Sequence, residues 1–284
     1  MPDPEANLSA LIKLLAEEDP QIIEVARTRL VELGEQAVPL LEMAAREHED
    51  PKVRVEAKGV LERIRVAQLG KEWQKTAGLP DEKMDLESGA FLLAKVSYPD
   101  LDPHSYHEKL DQIAEKARPR LAAASSGKEK LLALNRVLFK DEGFRGDWSN
   151  YFDPQNSYLN RVMDRKMGIP ISLAVLYLLV AKRLKIPIQG AGIPGHFMIK
   201  YQDGKMEMFI DPFNEGRFLS RPECVQFIVE AGYPYQVDFL EGVGAREILA
   251  RMLRNLILIY VDRHEQTLER TLTQFLDQLY PDSS

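Results

Sequence analysis

The sequence predicts an α+β fold, with one central helix, a small antiparallel sheet beside it and helical additions at both ends. Three observations carry this expectation. Residues 171–184 make an apolar run of helical length with almost no polar face, as in a helix enclosed on all sides. Phe197–Tyr201 and Met206–Ile210 are short strand-forming runs separated by a turn at Asp203-Gly204. Outside this region, apolar residues recur three and four apart, the spacing of amphipathic helices.

At 284 residues, with 45% hydrophobic and 29% charged side chains, the chain has the make-up of a globular protein of two or three compact units. A formal net charge of −7 argues against a broad nucleic-acid-binding surface. The single cysteine, Cys224, excludes an internal disulfide framework and a thiolate-rich metal cluster. The longest apolar run, Ile171 to Ala181, falls short of the roughly 20 residues that span a bilayer. Met1–Glu5 has neither the basic region nor the apolar core of a secretion signal. The expectation is a cytoplasmic protein with no membrane or nucleic-acid partner.

Near the amino terminus the sequence repeats itself. Asp19-Pro20-Gln21-Ile22 through Ala26 recurs, 31 residues on, as Asp50-Pro51-Lys52-Val53 through Ala57. Asp followed by Pro is an N-cap followed by a residue preset for the first helical turn. Ile22, Ala26, Leu30 and Leu33 are expected to share one helical face. With the apolar segments Leu8–Ala16 and Ala37–Ala45 before them, the copies make two helix pairs resembling short HEAT-like repeats of the phycobilisome-lyase type. Such a pair of repeats is either a plain helical cap or a protein-binding surface. The polar stretch Lys71–Leu86 marks a boundary. Helices are expected over Leu86–Lys95, Tyr106–Leu121 and Glu129–Phe139, then over the central run, which Lys185-Ile186-Pro187 ends.

The hairpin permits a placement. If Asp203-Gly204 is a two-residue type I′ turn, Lys200 faces Glu207 and His196 faces Asp211. Directly opposed residues share a face with Cβ atoms roughly 5 Å apart, so an imidazole and a carboxylate meet. A carboxylate so placed orients a histidine and stabilises its charged form. Gly190, Gly192 and Gly195, just before His196, allow close backbone approach there.

Several stretches then resemble the SirB-type bacterial transglutaminase-like family. They are Tyr98-Pro99-Asp100-Leu101-Asp102, Tyr151–Asn160, Gly168-Ile169-Pro170-Ile171-Ser172-Leu173 and Pro194-Gly195-His196-Phe197. The resemblance runs from about Leu86 to the carboxyl end. It implies a papain/transglutaminase-like core whose catalytic members use Cys, His and Asp in that chain order. Carried over position by position, His196 is the base and Asp211 its orienter, and the cysteine position falls on Pro170. Cys224 follows both His196 and Asp211, the wrong order for that site, so the resemblance implies no thiol chemistry here.

Ser172 lies near the same helix start and is the substitute nucleophile to weigh, against its reading as a first-turn hydrogen-bonding residue. Ser157 is expected to cap a helix or line the cleft, with Asn156 as an alternative cap. Asp102, His104 and His107 lack the spacing of a known metal site, and no metal or cofactor is expected. Arg161, Arg165 and Lys166 are expected on a solvated face, and Trp73 and Trp148 as anchors between segments. The tail, with helices over about Ala245–Val261 and Glu265–Tyr280, resembles the first hairpin of the family's tetratricopeptide-like tail.

The sequence therefore divides into helical repeats over 1–75, a transglutaminase-like core over 82–241 and a helical hairpin over 245–284. The leading functional expectation is a non-catalytic module that binds a protein or peptide partner through its repeats or its cleft. The alternative is an acyl hydrolase or acyltransferase using Ser172, His196 and Asp211.

Overall fold

The structure is a computed structural model and describes residues 4–281. Met1–Asp3, on which the reading of the amino terminus partly rests, and the last three residues of the 245–284 segment lie outside the described residues. The chain divides after Trp73 into two compact units.

The first unit holds α1 (Pro4–Leu14), α2 (Pro20–Leu33), α3 (Val38–Glu47) and most of α4 (Pro51–Ala77), whose last four residues fall after the division. Asp19 and Asp50 open α2 and α4 by accepting the N–H groups of Gln21 and Lys52, each at 2.8 Å. Leu8, Ile12, Ile23, Ala26, Leu30, Leu41, Val53, Ala57, Val60 and Ile64 belong to one buried core. The buried face of α2 thus begins at Ile23 and not at Ile22, which is 39% exposed. An offset of 31 residues aligns the two caps but not every inward position, because the two helices are rotated differently against the core. Lys71–Ala77, expected to be boundary, is helical: apart from Thr76 and Trp73 it consists of strong helix formers.

The second unit begins with α5 (Leu86–Lys95), α6 (Pro103–Ala122) and α7 (Gly127–Asn135). Helix α6 starts earlier than expected because Asp102 accepts the His104 N–H at 3.0 Å. Next come β1 (Arg145–Gly146), α8 (Leu159–Arg165), β2 (Met167–Gly168) and α9 (Pro170–Arg183). Strands β1 and β2 pair in parallel. Residues 170–181 of α9 are all buried, with α5, α6, α8 and α11 (Ala245–Asp262) packed against the helix. The main sheet is antiparallel, in the order β3 (Ile188–Ala191), β4 (Met198–Gln202), β5 (Glu207–Asp211), β6 (Arg217–Leu219). Strands β3 and β4 contact α9, while α10 (Arg221–Glu230) contacts β5. A second core joins Ala191, Met198, Phe209 and Leu219 of the sheet to Cys224 and Ile228 of α10. With both faces covered, the first four residues of β4 are buried, and Gly190 of the glycine-rich approach to His196 is part of β3. Lys200 is the charged member of that buried run, and Glu207 at 3.3 Å and Glu241 at 2.8 Å neutralise it. Helix α11 packs on α12 (Gln266–Leu279) and on α5.

The hairpin register differs from expectation by two residues. Lys200 pairs with Phe209 and Gln202 with Glu207, leaving Asp203–Met206 as a four-residue loop. The Asp203 carboxylate accepts the N–H groups of Lys205 and Met206, both at 2.9 Å, and so draws both residues into the turn. A type I′ turn needs positive φ at both central residues, yet in this loop only Gly204 has it, at 81°. A slip of two preserves sidedness, because side chains alternate with period two. Lys200 therefore still reaches Glu207, diagonally.

Candidate functional site

His196 lies two residues before β4, and Asp211 is the last residue of β5. Their side chains meet, with Nε2 3.0 Å from Oδ1, despite the changed register. The ring N–H is not aimed along that line, so the contact is electrostatic rather than an aligned hydrogen bond. Asp211 has other partners. It accepts from Asn214 Nδ2 at 2.7 Å and from the backbone N–H groups of Phe213 and Asn214 at 3.1 and 3.3 Å. Burial alone would raise its carboxyl, but His196 and the Asn214 donors outweigh it and hold the group below the usual carboxylate range. Phe213 and Phe227 flank the imidazole, with ring centroids 6.2 and 5.3 Å away.

Pro170 is the first residue of α9 and lines the same cavity of about 160 Å³ as His196. Ile171, Tyr151, Phe152, Arg251 and Asn255 also border it. Proline supplies neither a nucleophilic atom nor a backbone N–H at this helix start. Cys224 is on α10, fully buried, with Sγ 3.9 Å from Met198 Sδ. Burial, with Glu223 adding to it, pushes its thiol up to about 12, where it is inert at neutral pH.

Ser172 has no hydrogen bond to His196 and is engaged within the helix start, as in its first-turn hydrogen-bonding reading. Its hydroxyl is fully buried, donates to the Asn156 carbonyl at 2.5 Å and accepts the Ile169 N–H at 3.1 Å. It is not among the residues lining the cavity. A Cβ on Gly168 would fall 2.7 Å from Ser172 Oγ, so the glycine is what lets the hydroxyl sit inside the helix start.

The Asn156 carbonyl belongs to a wider polar scaffold. Asn156 donates to Asp147 at 3.1 Å and to the Asn150 carbonyl at 2.8 Å, and it accepts from Arg165 at 3.1 Å. Arg165 also lies 3.2 Å from Asp153, so it is a strut of the site and not a solvated cation. Asp153 caps the Pro154–Asn156 turn by accepting the Gln155 N–H at 3.0 Å, and α8 has Tyr158, not Ser157, at its N-cap, with no side-chain hydrogen bond. Ser157 Oγ is fully buried and has no hydrogen-bond partner among the described residues. Trp148, expected to be an anchor, is 71% exposed and packs only one side on Phe213, at 4.4 Å between centroids.

Sequence reasoning missed Arg251 and Asn255. Both leave the apolar face of α11, one turn apart, and that offset was the available signal. Arg251 donates to the His196 and Ile193 carbonyls at 3.4 and 3.5 Å. Burial raises the Tyr151 hydroxyl, and the charge of Arg251 pulls it partly back, so its field reaches that ring. His107 pairs with Glu87, His104 lies 3.3 Å from Glu108, and Asp102 caps α6. Among the described residues no three His, Cys, Asp or Glu side chains come together as a metal site. Among them, too, no helix is long and apolar enough to cross a membrane.

Comparison with known proteins places this geometry in a family. Residues 104–254 match the transglutaminase-like superfamily. A UPF0162 protein of Xylella fastidiosa strain Temecula1 is 37% identical over 200 residues, covering 67% of this chain and 70% of that protein. A UPF0162 protein of Vibrio cholerae is 27% identical over 205 residues, 71% of this chain and 76% of that one. The F-box only protein 21 of Mus musculus is 32% identical over 162 residues, which are 53% of this chain but 25% of that protein. No solved structure matches. A helix start and a histidine drawn from the matched segment border the cavity, with an aspartate of the same segment against the histidine ring, and the chain belongs to the transglutaminase-like superfamily.

Proposed function

We propose that this chain is a non-catalytic member of its superfamily, of the SirB type, whose cleft binds a protein or peptide partner. The observation that carries this reading is Pro170 at the cavity beside His196, where a nucleophile would stand. With Ser172 spent inside the helix start and Cys224 buried in another core, neither a hydroxyl nor a sulfur faces the imidazole from those positions. The match to F-box only protein 21 adds support, since there the related segment is a quarter of a larger chain, as suits a module. Phe152 and Leu258, which border the cavity, are 62% and 60% exposed, as suits a surface that meets an apolar side chain.

In the same reading, residues 1–75 are HEAT-like repeats offering a second recognition surface, 82–241 the core, and 245–284 a tetratricopeptide-like hairpin. The protein acts in the cytoplasm and needs no cofactor. Incubation of the full chain with a fluorophosphonate serine probe, and separately with labelled acyl donors and amines, is expected to give neither adduct nor turnover. An adduct on Ser172 that disappears in His196→Ala would reinstate the hydrolase reading.

A further inference from the structure

The cavity beside His196 is bordered by groups of one electrostatic character. Arg251 borders it and donates only to two long carbonyl contacts, and no carboxylate among the described residues pairs with it. Pro170 and Ile171, the first turn of the fourteen-residue helix α9, border the same space and bring the positive end of the helix dipole. The His196 side chain, 9% exposed, also borders the cavity, with its Nε2 buried and 3.0 Å from Asp211 Oδ1. Asp211, which contacts the ring, does not line the cavity and is already engaged by three N–H donors. Tyr151 and Asn255 complete the polar lining, and no carboxylate side chain contributes to it.

We propose that this cavity holds a carboxylate group of a peptide ligand, anchored by the Arg251 guanidinium; the proposal rests on the peptide-binding reading above. A guanidinium presents parallel N–H donors that match the two oxygens of a carboxylate. The cavity of about 160 Å³ has room for a carboxylate and a few carbons. The exposed rims of Phe152 and Leu258 call for an apolar side chain next to that carboxylate. Recognition is therefore of an acidic group flanked by an apolar one, on an extended segment of a partner.

The test uses the full chain and three small probes followed by ligand-observed NMR titration: N-acetyl-L-phenylalanine, its amide, and N-acetyl-L-glutamic acid α-amide. The first carries a main-chain carboxylate, the second none, and the third only a side-chain carboxylate. At least one acid is expected to bind about ten-fold more tightly than the amide or better, a difference of ~1.4 kcal/mol. Whichever acid is preferred names the source of the group. In Arg251→Gln that preference should vanish, and in Arg251→Lys it should be reduced, with Cys224 still protected from thiol reagents as proof of folding. Equal binding of acids and amide to the wild-type chain overturns the carboxylate anchor and leaves the peptide-binding reading intact. Absence of all binding at millimolar probe overturns the anchor too, while the serine-probe experiment judges catalysis separately. A preference that survives in Arg251→Gln assigns the group to another residue and also overturns the proposal.

Discussion

His196 and Asp211 depend on each other unequally. Asp211 keeps three N–H donors without the imidazole, so the cost of His196→Ala comes mainly from the space left between Phe213 and Phe227, about 2–4 kcal/mol read from urea midpoints. Asp211→Ala removes the cap of the Pro212–Asn214 turn as well and should cost about 2 kcal/mol. The carboxyl titrates lower folded than unfolded, so its contribution is complete above the unfolded value near pH 4. It is lost as pH falls through the depressed folded value. The stability gap between wild type and Asp211→Asn should therefore be widest near neutrality and close in acid; a gap that widens below pH 4 would refute this assignment. Ser172→Ala should lower stability by about 1–2 kcal/mol through its lost hydrogen bonds and leave cleft binding unchanged. The His196–Asp211 contact was legible because a hairpin confines its two ends to few arrangements. Arg251 was not, because its contact to His196 spans 55 positions and no local pattern encodes it.

At the scale of elements, helix α9 and the β4–β5 hairpin set the site. Helix α9 was legible from its unbroken apolar run, since nothing but enclosure suits such a surface. The hairpin was legible as a hairpin, but its loop was read from the Asp-Gly pair alone. The Asp203 carboxylate, competing for the next N–H groups, chose the longer loop. Strand β6 and the pair β1–β2 are only two or three residues long and carry no periodicity to detect. The start of α9 also supplies a chemical test. A thiol placed at its first residue, by Pro170→Cys, would sit at a helix N-terminus beside an imidazole, the setting that lowers thiol pKa. Iodoacetamide at neutral pH should then label that position within minutes and spare Cys224. Wild-type protein labelled at Cys224 while folded would contradict the burial described for it.

Over the whole molecule, each unit has a core of its own. Leu30 is fully buried among the amino-terminal helices, so Leu30→Ala should cost about 2–5 kcal/mol there. Protection of Cys224 in the second unit should be unchanged at denaturant concentrations where circular dichroism already records partial helix loss. Simultaneous loss of both signals would show that the units melt as one. The Asp-Pro repeat made the amino-terminal helices readable, since each cap is a purely local device.

The two tryptophans occupy opposite environments, Trp73 fully enclosed and Trp148 on the surface, packed against the phenylalanine that borders the imidazole. Emission from the chain is thus a blue component insensitive to aqueous quenchers and a red component open to them. The red one stands two rings from the cleft, so acrylamide quenching offers an unlabelled optical gauge of occupancy. A ligand that extends from the cleft over Phe213 should shield that fluorophore and shift its emission to shorter wavelength, without any chemical tag.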